Sequence, residues 1–227
     1  LIGWFFVITG FVKAPPAEQF AFASGHDIDM ETREYADGRY AMTWDELRDN
    51  VAKFYSCEPC TDAYRRQATL VISRKNKLTG KRYIDDPAIM SWELANEPRP
   101  MRSSAVKDYR IWIENTARMI KRLDPNHLVT IGHEGWIGTE SLDLFEQVHA
   151  GRDIDYLTIH IWPKNWGWFE SGKMVEGFPN AVAQTEKYIK DNLAVSVRLG
   201  KPMVIEEFGL PRDNQSFDPA SPTTLRD

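Results

Sequence analysis

"MSWELANEPRP", residues 90–100, carries an apolar run into a polar knot with Glu97 at its centre. Three other stretches share that grammar: "LVTIGHEGW" (128–136), "YLTIHIWPKNW" (156–166) and "PMVIEEFG" (202–209). Each starts apolar, as a buried strand does, and finishes with carboxylates, imidazoles, amides or indoles. In parallel α/β folds the C-terminal ends of the strands form the active-site face, so four such clusters can converge although they lie far apart in sequence.

The segments between them support that reading. Short β-like runs at 1–9, 88–95, 128–132, 155–162 and 202–208 alternate with longer helical patterns, the mark of βα units around a parallel sheet. "TWDELRDNVAKFYS" opens with a capping-box pattern, Thr43 with Glu46, and places Trp44, Leu47, Val51 and Phe54 on one stripe expected to pack on the sheet. A second helix is expected after Thr61, carrying Tyr64, Ala68, Val71 and Ile72 and stopping near "LTGK". A third should run from about Ser104 to Leu123 with Val106, Tyr109, Ile113, Ala117 and Ile120 inward, ending at Asp124-Pro125-Asn126. The last is expected over Asn180 to Leu199, closed by Gly200. Residues 11–42 read as a long loop. No repeat or linker divides the chain, so 1–227 is taken as a single catalytic domain.

Composition limits what such a domain can do. With 42% hydrophobic residues the 227-residue chain can bury a sizeable core. A net charge of −5 without a block of like charge argues against nucleic acid or an anionic membrane as partner. No stretch nears the roughly 20 apolar residues of a membrane span, and "LIGWFFVITGFVKAPP" lacks the basic start and cleavage site of a signal peptide. Cys57 and Cys60, in Cys-Glu-Pro-Cys, are too few for a four-thiolate zinc site and are read as a structural pair, thiol or disulfide. His133 and Glu134, with His160, could be imagined as zinc ligands, but no metal is expected. His26, His127 and His149 are expected at the surface, and Trp4, Trp44, Trp92, Trp112 and Trp168 in the core or at the rim.

Glu97 and the Glu206-Glu207 pair meet only if their strands belong to one sheet. Two carboxyls facing each other beside abundant tryptophan suit glycosidic bond cleavage, one protonating the leaving oxygen and the other attacking or activating water. A gap of about 5–5.5 Å would mean retention, and roughly 6.5–9.5 Å inversion.

At these residues the chain resembles a known family. "TGKRYIDDPAIMSWELANEPRP", "HIWPKNWGW" and "KPMVIEEFG" look like the glycoside hydrolase family 5 endo-β-1,4-mannanases, in the clan of retaining (β/α)8-barrel glycosidases. The resemblance implies that Glu97 is the general acid/base and Glu207 the nucleophile. Glu206 would then point to the opposite side of its strand. It also implies that Asn96 hydrogen-bonds the sugar 2-hydroxyl, and that His160 contacts the acid/base or the sugar. Trp162 stands where many relatives have a tyrosine bonded to the nucleophile, and the lost hydroxyl is expected to weaken that role. Trp166 and Trp136 match positions where a sugar platform can sit.

The resemblance thus implies an α/β fold, a (β/α)8 TIM barrel, here expected to be incomplete. It would hold about strands 3 to 7 and lack strands 1, 2 and 8, with the family's second-strand Arg and eighth-strand Trp having no counterpart. The chain is therefore expected to be part of a longer secreted mannanase that needs no cofactor and acts as a monomer on β-mannan. A family 5 β-1,4-glucanase and a non-catalytic carbohydrate-binding piece remain the alternatives.

Overall fold

A computed structural model describes residues 4–7, 28–29, 34–35, 43–170, 172–213, 216 and 218–224. The side chains of residues before 43, the long loop read over 11–42 apart from four of its residues, the apolar start apart from residues 4–7, and His26 lie outside the described residues. Within them, parallel strands alternate with helices as the sequence pattern requires. Strands β1 (Trp4–Val7), β4 (Ile89–Glu93) and β5 (Leu128–Thr130) form one parallel sheet in the order β1-β4-β5. Strands β6 (Leu157–Ile161) and β7 (Met203–Phe208) form a second parallel pair. A two-residue antiparallel pair, β2 (Ile28–Asp29) with β3 (Glu34–Tyr35), stands apart from both.

The two parallel sheets are tied across β5 and β6 by hydrogen bonds outside the ladders. Asp155 N donates to Val129 O at 2.8 Å, Thr130 Oγ1 to Tyr156 O at 2.8 Å, and His160 N to Glu134 O at 3.0 Å. The strand ends that carry the polar clusters are therefore held side by side. In β7 the register steps from Ile159↔Ile205 to His160↔Glu207, leaving Glu206 as an extra residue on that strand. Such a bulge breaks the strict alternation of side-chain faces.

Among the described residues, helices flank the strands. Helix α1 (Trp44–Phe54) has the expected capping box: Glu46 N donates to Thr43 Oγ1 and Thr43 N to Glu46 Oε2. Its stripe differs from expectation. None of its residues is fully buried; Trp44, in the first turn, is exposed, and contact with the core comes from Ala52 and Phe54 nearer the C-terminus. Helix α2 (Glu58–Ile72) starts three residues before Thr61, because Cys57 caps it while disulfide-bonded to Cys60. It buries Tyr64, Ala68 and Ile72, as its spacing predicts. Helix α3 (Val106–Leu123) buries Tyr109, Trp112, Ile113, Ala117 and Ile120, and Trp92 behind it donates its indole N–H to Asp124 at 2.7 Å.

Two further helices lie outside the sequence expectation: α4 (Trp136–Thr139) and α5 (Leu142–His149), the latter capped by Ser141. Helix α6 (Met174–Leu199) begins six residues before Asn180 and runs through Pro179, then ends at Gly200 with φ 64°. His127 and His149, expected at the surface, are buried. His149 Nδ1 bonds Phe145 O one turn back, and His127 Nδ1 pairs with Asp124 at 2.6 Å. No helix among the described residues is long and apolar enough to cross a membrane.

Candidate active site

The chain leaves β4 through a loop whose backbone is over-determined. Tyr64 OH donates to Leu94 O at 2.7 Å, Tyr109 OH to Pro98 O at 3.0 Å, and Tyr55 OH to Arg99 O at 2.7 Å, so three phenols from the helix layer grip three carbonyls. Leu94, Ala95 and Glu97 each donate a backbone N–H toward the β5 end, at Thr130 O, Ile131 O and Gly132 O. Held this way, Glu97 adopts φ 49°, a left-handed conformation that a residue with a Cβ rarely takes. Strain of this kind, of order 1–3 kcal/mol, persists where surrounding contacts impose it, and such positions cluster at functional sites.

His160, from β6, joins the two glutamates. Its Nδ1 lies 2.8 Å from Glu97 Oε1 and 3.3 Å from Glu207 Oε2, while Trp162 Nε1 donates to Glu207 Oε2 at 3.1 Å. One donor or acceptor atom from each of Glu97, His160 and Glu207 falls within 4.8 Å of the others. The imidazole is 2% exposed, whereas the Glu97 and Glu207 side chains keep 26% and 39% of their surface, so solvent and substrate can reach the carboxyls and not the base between them. Burial disfavours a charged imidazole here, but hydrogen bonds to Glu206 and Glu97 and the charges of Glu207 and Glu97 outweigh it and push His160 up to about 9. A trio this close could also hold a cation; the ring nitrogen it offers is the one directed at both carboxyls.

Behind Glu97, Arg99 forms a two-pronged ion pair with Glu134, at 2.5 and 2.6 Å, and its guanidinium stands 3.9 Å from Glu97 Oε2. Burial raises the Glu134 carboxyl against the pull of Arg99. His133 Nε2 meets Tyr109 OH, and burial pushes its imidazole well below the usual range. These partners turn His133 and Glu134 to other duties than ligating a metal with His160.

Residues 19–227 match the model of a family described as GH family 5 beta-mannosidase-like. The chain belongs to that family. It is 32% identical to mannan endo-1,4-beta-mannosidase 1 of Arabidopsis thaliana over 190 residues, covering 78% of this chain and 45% of that one. Probable mannan endo-1,4-beta-mannosidase A-2 of Aspergillus terreus is 33% identical over 75% of this chain and 41% of its own. Among solved structures, the glycoside hydrolase family 5 mannosidase from Rhizomucor miehei superposes with a TM-score of 0.71 at 29% identity, covering 86% of this chain and 47% of that one. The hyperthermostable endo-1,4-beta-D-mannanase from Thermotoga petrophila RKU-1 does so with 0.62 at 28% identity, covering 73% and 49%. The chain spans less than half the length of these relatives. Its parallel strands are part of a (β/α)8 barrel, consistent with the incomplete barrel expected from sequence.

Among the family 5 positions singled out in the sequence, Glu97, His160, Trp162 and Glu207 come together. Asn96 is exposed beside Glu97. Trp136 and Trp166 are half-buried and stack about Tyr188, at ring distances of 5.9 and 5.0 Å, in the cluster between β6 and α6. One expectation is corrected: Glu206 does not face away from the site. The extra residue in β7 turns it to the same imidazole as Glu207, with Oε2 3.7 Å from His160 Nε2. Arg99 and Glu93 were missed, although Glu93 stands four positions before Glu97 as a lone charge inside an apolar strand, and a buried charge without a stated partner is a signal in itself.

Proposed function

We propose that this chain carries the catalytic centre of an endo-acting retaining β-mannanase, which hydrolyses β-1,4-mannosidic bonds in mannan-type hemicellulose by double displacement. The observation that carries the reading is the approach of Glu97 and Glu207, from the ends of β4 and β7, to within 4.8 Å between facing atoms. An approach this close between single oxygens suits a direct attack by one carboxylate better than the wider carboxyl spacing of an inverting mechanism. The names of the relatives supply the sugar: they are mannan endo-1,4-beta-mannosidases.

In this reading Glu207 attacks the anomeric carbon while Glu97 delivers its proton to the departing glycosidic oxygen. The N–H groups of Trp162 and His160 hold the attacking oxygen of Glu207 in place. Water then enters from the face the leaving group vacated, Glu97 takes its proton, and the sugar is released with its configuration kept. Asn96, at the rim beside Glu97, bonds the 2-hydroxyl, and Trp162, Trp166 and Trp136 offer indole surface to the chain of sugars. No cofactor enters any step. A substrate this large places the enzyme's work outside the cell.

The test is reducing-end release from β-mannan and carboxymethylcellulose, by this chain and by a protein extended at both ends, with Glu97→Gln and Glu207→Gln. Mannan cleavage falling by about 10²–10⁴-fold in Glu97→Gln, and at least as far in Glu207→Gln, is expected. Cellulose as the better substrate would move the reading to a glucanase. An inverted anomer as first product, or full activity in either variant, would sink it.

A further inference from the structure

The double displacement gives no work to the Cys57–Cys60 disulfide, yet the bond stands between two of the phenols that hold the Glu97 loop. Helix α1 ends at Phe54 and α2 begins at Glu58, so Tyr55, Ser56 and Cys57 make the whole corner between them. Tyr55, two residues before Cys57, donates to Arg99 O, and Tyr64, four residues after Cys60, donates to Leu94 O, each at 2.7 Å. Those two carbonyls bracket Glu97. Both phenols are buried, and burial raises them, so they remain O–H donors.

A helix start needs acceptors for its first amides, and the oxygen of a Ser, Thr, Asp or Asn usually supplies one. Here Cys57 takes the capping position, and Cys60 N donates to Cys57 Sγ at 3.3 Å. Sulfur is a weak acceptor, so the first turn of α2 leans on the covalent tie more than on the cap. Further fastening comes from two ordinary turn bonds, Cys57 N to Phe54 O at 3.2 Å and Thr61 N to Cys57 O at 3.0 Å. Helix α1, on the other side of the corner, buries none of its residues fully. Cys57 and Cys60 are half-buried, within reach of a small reductant, and they are the chain's two cysteines.

We propose that the Cys57–Cys60 disulfide is a positioning element for Glu97: it locks the corner from which Tyr55 and Tyr64 hold the Glu97 loop in its left-handed conformation, and its reduction loosens that hold. This rests on the reading of Glu97 as the acid/base. A dithiol reductant closes to its own disulfide and passes two electrons and two protons to the S–S bond, leaving Cys57 and Cys60 as thiols. The first turn of α2 then frays, and the phenols no longer keep Leu94 O and Arg99 O in one place. Glu97, at φ 49°, relaxes toward an ordinary backbone region and carries its carboxyl with it. Tyr109, from α3, still grips Pro98 O, so the loop is loosened and not lost. The steps that suffer are those in which Glu97 moves a proton. Attack by Glu207, held by Trp162 and His160, does not depend on the corner.

The experiment is amide hydrogen exchange on this chain, oxidised and reduced with dithiothreitol, and on Tyr64→Phe. The amides of Leu94, Ala95 and Glu97, bonded to the end of β5, are expected to exchange about 2- to 30-fold faster on reduction, the effect of losing a helix cap, while those of β6 and β7 keep their rates. Reduction should also speed Thr61, whereas Tyr64→Phe should speed the loop and leave Thr61 alone. Loop rates unmoved by reduction, or equal acceleration throughout the chain, overturn the proposal. Cys57→Ala/Cys60→Ala repeats the reduced state without reductant; should it fail to fold, the reduced chain and Tyr64→Phe decide. Exchange needs no turnover, so it stands whether or not mannan is cleaved. A kinetic arm then separates the proposal from the reading beneath it. A dinitrophenyl β-mannobioside loses its leaving group without a proton, and azide attacks the glycosyl-enzyme without a base. Both Glu97→Ala and the reduced protein should therefore lose kcat/KM on mannan, keep it within about twofold on the activated substrate, and regain kcat there with azide. Absence of that pattern from Glu97→Ala sinks the acid/base reading; its presence there and absence from the reduced protein sinks the positioning role.

Discussion

Trp162 Nε1 donates to Glu207 Oε2 at 3.1 Å, although an indole is expected from sequence to serve poorly where relatives carry a phenol. The indole is larger, and the strand end makes room for it: a Cβ on Gly209 would sit 2.8 Å from the Trp162 ring, so the glycine is what lets the ring lie there. A hydrogen bond to an ionised group contributes about 1.5–3 kcal/mol, so Trp162→Phe is expected to lower kcat on a soluble mannan by about 10- to 100-fold. KM should change little if the bond positions the nucleophile. A loss confined to KM would mean that Trp162 only contacts sugar. That Glu97 and Glu207 approach one another was legible because each closes an apolar run at a strand end. The orientation of Glu206 was not, because one extra residue in β7 reverses the face that alternation assigns.

At the scale of elements, the loop that presents Glu97 depends on β5 as much as on β4. Gly132, at φ 80°, accepts the Glu97 N–H at 2.9 Å, and a Cβ there would stand 2.1 Å from Ala95 O and 3.1 Å from Glu93 Oε2. Neither atom can retreat, since Ala95 is bonded to β5 and Glu93 is buried. Gly132→Ala is therefore expected to cost at least the ~1–3 kcal/mol of a side chain forced into that backbone region, and to reduce activity through a displaced Glu97. Thermal unfolding measures the first; an unchanged Tm would show that the loop yields more easily than its hydrogen bonds suggest. The parallel strands and α3 could be read from apolar runs and 3.6-residue spacing, whereas the two-residue β2 and β3 fell within the stretch read as a loop. Helix α5 was missed because at eight residues it offers only two turns of pattern, although Gly151 stands just past its C-cap, and the burial of His149 was lost with it. Helix α1 shows the opposite error: an amphipathic stripe predicts a helix, but not how much of it reaches the core.

At the scale of the whole molecule, five buried groups with displaced proton affinities among the described residues shape the dependence of stability on pH. His133 and His149 are neutral by burial, His149 at about 3, so between that value and 6.5 the unfolded chain binds protons that the folded chain refuses. Stability from these two is present above about 6.5 and lost as pH falls. His160 and Glu93 work the other way. Raised to about 9 from ordinary values of 6.5 and 4.5, they hold protons in the folded chain that the unfolded chain releases, so their contribution is whole below those ordinary values and lost as pH rises toward 9. Between 4.5 and 6.5 the two histidines are opposed by Glu93 and in part by Glu134, whose carboxyl burial also raises, so the slope there is smaller than the histidines alone would give. Above 6.5 only the losses remain, two protons' worth at about 1.4 kcal/mol per pH unit each. Tm is therefore expected to rise gently up to about pH 6.5 and then to fall by about 5 °C or more per pH unit toward 9. Glu93→Gln removes one of the two protons and should roughly halve that alkaline slope; a Tm that stays level to pH 9 in the unsubstituted chain would mean that the charges around His160 are not arranged as described.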